Sequence, residues 1–146
     1  MPSPVELFDQ ILENLKVSNY QEIANRRDEI TKSLNGEYRA APDSTDHRLM
    51  VGSYGRHTAI NGVSDLDLVY ILPSDLRNKY RSPEGPYRAL KRTKDAILRR
   101  YPTTDVSVSQ LVVVVKFQNF TFEVQPVFQE KDGDFAYPDT KKKLWL

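Results

Sequence analysis

The sequence predicts an α+β domain, a mixed β-sheet flanked by helices. Two observations carry that expectation. The first 34 residues hold apolar side chains at helical spacing, Val5, Phe8, Ile11, Leu12 and Leu15, then Tyr20, Ile23, Ala24, Ile30 and Leu34. Beyond them come short apolar or alternating runs bounded by Gly, Pro and Asn. Of these, 110–117 and 121–128 fold back on each other around Gln118-Asn119, and such a hairpin is antiparallel.

Each element follows in order. Ser3-Pro4 with Glu6 reads as an N-cap, a proline at the first helical position and a capping-box acid, so a helix runs from Pro4 to about Lys16. Ser18 or Asn19 caps a second helix to Leu34, and Gly36 stops it. Arg26, Arg27 and Lys32 are expected on a solvated face. A linker with Pro42 leads to a first strand, Arg48 to Val51, ending at Gly52-Ser53. A helix start is expected at 54–58 and a loop at 58–64, with Asn61-Gly62 at its turn. The second strand opens with Asp65-Leu66-Asp67-Leu68 and runs to Leu72 before Pro73.

Residues 74–86 read as a polar irregular loop, more simply solvated than at a site. Tyr87 to Arg100 is a helix rich in Arg88, Lys91, Arg92, Lys94, Arg99 and Arg100. Those cations suit either a polyanion or, for the last ones, the negative end of the helix dipole. Asp105 to Ser109 alternates as a half-buried strand, and the run 111–115 reads as a buried central one. Residues 130–134 form a turn. Leu144, Trp145 and Leu146 are expected to be exposed, behind a solvated Lys141–Lys143 run.

Composition limits the function. One domain suits 146 residues, and a net charge of +1 gives no bulk argument for nucleic acid. The absence of cysteine excludes disulfides, thiolate metal sites and a cysteine nucleophile. Two histidines make a His-rich zinc site a poor reading. No apolar run approaches the ~18 residues of a membrane span. The first ten residues lack signal-peptide features, so the expectation is a cytoplasmic protein without membrane contact.

The chemistry gathers between Gly52 and Leu72. In a strand, alternate side chains share a face, so Asp65 and Asp67 project together. Paired carboxylates suit a hard divalent cation, Mg²⁺ or Mn²⁺, that leaves room for phosphates. Gly52-Ser53 offers a backbone able to approach phosphate, with amides at a helix N-terminus. Arg56 can touch phosphate or make a surface ion pair. Taken alone, Asp-x-Asp is more often a solvated strand edge. Its order behind Gly-Ser, with eleven residues between Ser53 and Asp65, is the specific signal. A third carboxylate, Glu123, sits among apolar residues in Phe122–Phe128 and shares its strand face with Gln125.

This pattern resembles the signature of the DNA-polymerase-β-like nucleotidyltransferases. It is most similar to the branch holding oligoadenylate synthetases, cyclic GMP-AMP synthase and the bacterial cyclic-oligonucleotide synthases of anti-phage defence. The matching residues are Gly52-Ser53-Tyr54, Arg56, Thr58-Ala59-Ile60 and Ser64-Asp65. Glu123-Val124-Gln125-Pro126-Val127-Phe128 is similar to the oligoadenylate synthetase Asp-apolar-apolar-Pro-apolar-Phe segment, with Glu in place of Asp. The resemblance implies a metal-dependent enzyme joining nucleoside triphosphates with loss of pyrophosphate. Asp65, Asp67 and Glu123 would be the metal-binding and catalytic residues, and Gly52, Ser53 and Arg56 the nucleotide-binding ones. The implied layout is one catalytic core over 1–146, with N-terminal helices in 1–38 and the metal-binding sheet in 48–128. Residues 129–146 would start a truncated C-terminal segment. The helical domain that follows the core in the family would be absent or supplied by a partner chain. Two alternatives stay open: a minimal nucleotidyltransferase antitoxin that modifies a protein, and a non-catalytic nucleotide- or partner-binding remnant.

Overall fold

The computed structural model describes residues 4–51, 65–118 and 120–146, of which 4–20, 50, 51 and 65 are described by backbone alone. Among the described residues, two α-helices, a short 3-10 turn at Ser74–Leu76 and a six-stranded mixed sheet make up the fold, with a two-stranded hairpin at the C-terminus. Helix α1 spans Pro4–Arg39 and α2 spans Gly85–Arg100. The strands are β1 (Arg48–Val51), β2 (Asp65–Ile71), β3 (Asp105–Val108), β4 (Val113–Lys116), β5 (Thr121–Gln129) and β6 (Phe135–Ala136). The hairpin pairs β7 (Pro138–Asp139) with β8 (Leu144–Trp145).

The two expected N-terminal helices are one. Nothing between Lys16 and Asn19 breaks the backbone hydrogen-bond ladder, since neither Gly nor Pro occurs there. Gly36 does not stop α1 either. A Cβ added there would lie 3.3 Å from the Pro42 Cβ, so the glycine lets the returning chain pass close by. The helix ends at Ala40, in the left-handed region with φ 53, and the Ala41 N–H caps the Asn35 carbonyl at 3.0 Å. Asn35, fully buried, then ties the linker down by donating to the Ser44 and Asp46 carbonyls at 2.8 and 3.0 Å.

The sheet order is β1-β2-β5-β4-β3, with β6 on the end of β5. Every pair is antiparallel except β2·β5 at its centre, so the sheet is mixed as expected. The core fills the helical side. Leu66, Leu68 and Tyr70 of β2, Phe122 and Val124 of β5, Val113 and Val115 of β4 and Val106 of β3 are buried there with Ile30, Leu34, Leu90 and Ile97. The central strand is β5. The apolar run at 111–115 becomes a strand only from Val113, and Leu111 is exposed, because its carbonyl turns aside to the Gln125 amide at 3.2 Å.

Three surface expectations also change. Arg26 lies over the Tyr101 and Phe117 rings, 4.9 and 4.7 Å from their centroids, rather than in open solvent. Residues 74–84 are exposed in large part, but Tyr80 is buried and the loop closes tightly on α2: a Cβ on Gly85 would fall 1.8 Å from the Tyr80 carbonyl oxygen. Trp145 is half-buried, not exposed. Its ring packs edge-on against Phe128 at 4.8 Å, and its Nε1–H donates to the same Tyr80 carbonyl at 2.8 Å. Leu144 and Leu146 are exposed as expected.

Candidate active site on the open face of the sheet

Register builds the site. In the parallel β2·β5 pair Asp67 lies opposite Glu123, and neighbouring strands are about 4.8 Å apart. Both are half-buried, while their strand neighbours Leu66, Leu68, Phe122 and Val124 are buried on the helical side. The alternation therefore sets the two carboxylates side by side on the face away from the helices. The row continues across the sheet: Val51 of β1 opposes Asp67, Val114 of β4 opposes Glu123, and Ser107 of β3 opposes Val114. Val51 precedes Gly52 in sequence, and β1 ends at the register position of Asp67.

Asp65 opens β2, two residues from Asp67, opposite Thr121. Its side chain lies outside the described residues, as do Gly52, Ser53 and Arg56 and the expected helix start at 54–58. Thr121 opposes Lys116 on β4, which places an exposed cation diagonally across from Glu123. Sequence reading passed over Lys116, although β4 read with strict alternation would have put it on the carboxylate face.

Asp67 and Glu123, adjacent in register and half-exposed, carry oxygen donors of the kind a hard cation takes. Among the described residues no group of three His, Asp or Glu side chains is placed to hold a metal ion. The third donor expected from the sequence, Asp65, is the one whose side chain is not described.

The row is held from behind. The Tyr70 hydroxyl, buried at the far end of β2, donates to the Asn35 side-chain oxygen at 2.7 Å. Burial pushes its ionisation up against the pull of Arg39, so it stays a donor. Arg39 Nη2 donates to the Ile71 carbonyl at 2.8 Å, and Arg48 Nη1 to Asp28 at 2.6 Å. These bonds fix β1 and β2 to α1.

Known proteins are similar to this chain in fold. The family model for the Second Messenger Oligonucleotide or Dinucleotide Synthetase domain, SMODS, matches residues 3–146. No curated protein matches the chain. Among solved structures, CdnC of E. coli MS115-1 with ATP is similar at 18% identity and a TM-score of 0.53, over 95% of this chain and 46% of that one. The CD-NTase CdnG of Bradyrhizobium diazoefficiens in complex with GTP is similar at 18% identity and a TM-score of 0.54, over 92% of this chain and 38% of that one. The E. coli MS115-1 CdnC:HORMA-deltaN complex gives 21% identity and a TM-score of 0.52, over 90% of this chain and 45% of that one. At such identities the likeness is one of fold, and this chain spans less than half the length of each. Among the described residues no helix is long and apolar enough to cross a membrane. With its mixed sheet, its carboxylate row and a family match over nearly its whole length, this chain belongs to the SMODS family of polymerase-β-like nucleotidyltransferases.

Proposed function

We propose that this chain is the core of a metal-dependent nucleotidyltransferase that makes a cyclic or linear oligonucleotide second messenger from nucleoside triphosphates, in a defence system against phage. The observation behind this reading is the register row itself. It sets Asp67 beside Glu123, with Val51, the residue before Gly52 in sequence, opposite Asp67.

In the reaction a ribose hydroxyl oxygen attacks the α-phosphorus of a triphosphate, the bond to the bridging oxygen breaks, and pyrophosphate leaves. Asp65, Asp67 and Glu123 would hold Mg²⁺ or Mn²⁺. When bound, such an ion offsets the charge building on the phosphate oxygens and lowers the pKa of the attacking hydroxyl. A Glu123 carboxylate oxygen accepts the hydroxyl proton. Its extra methylene, relative to aspartate, extends its reach from β5 toward the acceptor. The Gly52 and Ser53 amides cradle the triphosphate and Arg56 balances its charge. ATP and GTP in the CdnC and CdnG structures support a triphosphate substrate. Residues beyond those matched here, in the same polypeptide or in a partner, would hold the base. The HORMA complex of CdnC makes a protein partner a reasonable expectation.

Thermal unfolding with each nucleoside triphosphate, with and without Mg²⁺ or Mn²⁺, tests this. A ligand that binds only the folded chain raises its melting temperature by mass action. Metal should add a further rise to whatever the nucleotide gives alone, and that metal-dependent part should vanish in Asp65→Ala and Asp67→Ala. Mass spectrometry of the products then separates an oligonucleotide from a nucleotidylated protein. No metal-dependent part to the rise, or one that both variants keep, would overturn the reading.

A further inference from the structure

The basic side of α2 has no part in the site above. We propose that the groove between the end of α1, the 77–84 segment and α2 binds a small phosphate-rich anion, a free polyphosphate or the phosphate chain of a nucleotide. It lies on the helical side of the sheet, away from the Asp67–Glu123 row. The groove encloses about 310 Å³, and five cations line it against two carboxylates, Glu37 and Asp95.

Those carboxylates are already engaged. Glu37 takes Arg92 Nε at 2.8 Å and Arg99 Nη2 at 2.5 Å, and Asp95 takes Lys91 at 3.0 Å. Among the described residues neither Lys79 nor Arg88 has a carboxylate partner. Yet both are drawn to one place. The Lys79 ammonium and the Arg88 guanidinium lie 5.7 and 5.8 Å from the centroid of the Tyr80 ring. Arg92 Nη1 donates to the Tyr80 hydroxyl at 3.0 Å. Three cations thus gather round one buried phenol.

The ring face attracts a cation weakly at an exposed site, whereas like charges this close repel. Arg88, near the start of α2, also runs against the helix dipole. A phosphate between Lys79 and Arg88 answers both. Lys79 and Arg88 are exposed and able to swing onto it, and Arg92 is preset by Glu37 as a planar donor at the groove wall. The volume suits a short phosphate chain, not a duplex.

The test is thermal unfolding of the full chain with sodium tripolyphosphate, without divalent metal, against sodium chloride at equal ionic strength. Tripolyphosphate should raise the melting temperature, the rise should survive Asp67→Ala, and metal-free ATP should reproduce it if the chain of a nucleotide is read. Lys79→Ala and Arg88→Ala should each weaken the apparent affinity about tenfold, and Arg88→Glu should abolish it. Without ligand, both alanine variants should unfold no earlier than the parent, since each removes repulsion. No effect beyond that of sodium chloride would overturn the proposal. So would a rise lost in Asp67→Ala and kept in the Lys79 and Arg88 variants, because the anion would then sit at the carboxylate row. Failure of the metal-dependent experiment above leaves this one unaffected.

Discussion

Asn35 is where the site can be disturbed from the greatest distance. It is fully buried, it donates twice into the linker that delivers β1, and it accepts the Tyr70 hydroxyl from β2. In Asn35→Ala the Ser44 and Asp46 carbonyls, in a partly exposed linker, can turn to water. The Tyr70 hydroxyl cannot, and a buried polar group without a partner costs about 1–3 kcal/mol. Adding the two lost linker bonds at roughly 0.5–1.5 kcal/mol each puts the change at about 2–6 kcal/mol. Tyr70→Phe leaves one Asn35 oxygen short of a donor and should cost about 1–2 kcal/mol. Once Asn35 is gone, the same substitution should cost almost nothing. Urea unfolding of the parent, both single variants and the double variant reads this coupling directly. Additivity within about 0.5 kcal/mol would refute the shared bond. A loss under about 1 kcal/mol for Asn35→Ala would refute the idea that α1 holds the first strand.

Further outcomes follow from single contacts. Arg92 holds the Glu37 carboxyl below its usual range against partial burial, and Arg99 adds to this. A lowered carboxyl stabilises the fold above its unfolded pKa, near 4.5, and loses that contribution as pH falls through the folded value. Parent stability should therefore drop in mild acid, while Glu37→Gln, weaker by about 1 kcal/mol at neutral pH, shows a flatter profile in pH-dependent unfolding. Gly85→Ala should cost about 2 kcal/mol or more by thermal unfolding, because the new Cβ meets the Tyr80 carbonyl and neither backbone can yield freely. Trp145→Phe keeps a ring against Phe128 but loses the bond to Tyr80, a loss of about 1 kcal/mol.

Much of the fold is legible in local pattern. Alternation alone sorts Leu66, Leu68 and Tyr70 from Asp67, and Phe122 and Val124 from Glu123, and burial follows that division. Alternation cannot say that Asp67 and Glu123 meet. That depends on a parallel pairing between segments more than fifty residues apart, which leaves no trace in either segment. The unbroken α1 is hidden by Ser18 and Asn19, which read as a second N-cap, and its end by Gly36, whose usual meaning is a helix stop; here the glycine's use is a close pass by Pro42. Asn35 looks like any polar helical residue until the linker and Tyr70 arrive. Trp145 looks exposed because its partners, Phe128 and the Tyr80 carbonyl, are distant in sequence. The other half of the motif, Gly52, Ser53 and Arg56, falls outside the described residues and stands on sequence alone.

The turn between β4 and β5 has a consequence for how such a chain can vary. Phe117 N–H bonds the Phe120 carbonyl at 3.0 Å across it, and the strand leaving it delivers Glu123 three residues later. A residue gained or lost there that slid β5 by one position against β4 and β2 would present Phe122 or Val124 to the carboxylate face and bury Glu123 in the core. A change in the turn's length that shifts this register therefore removes the carboxylate from the site. Among relatives of this chain, drift in spacing should gather in the linkers around 40–47 and 101–104, while the count of residues from Val113 to Glu123 stays constant.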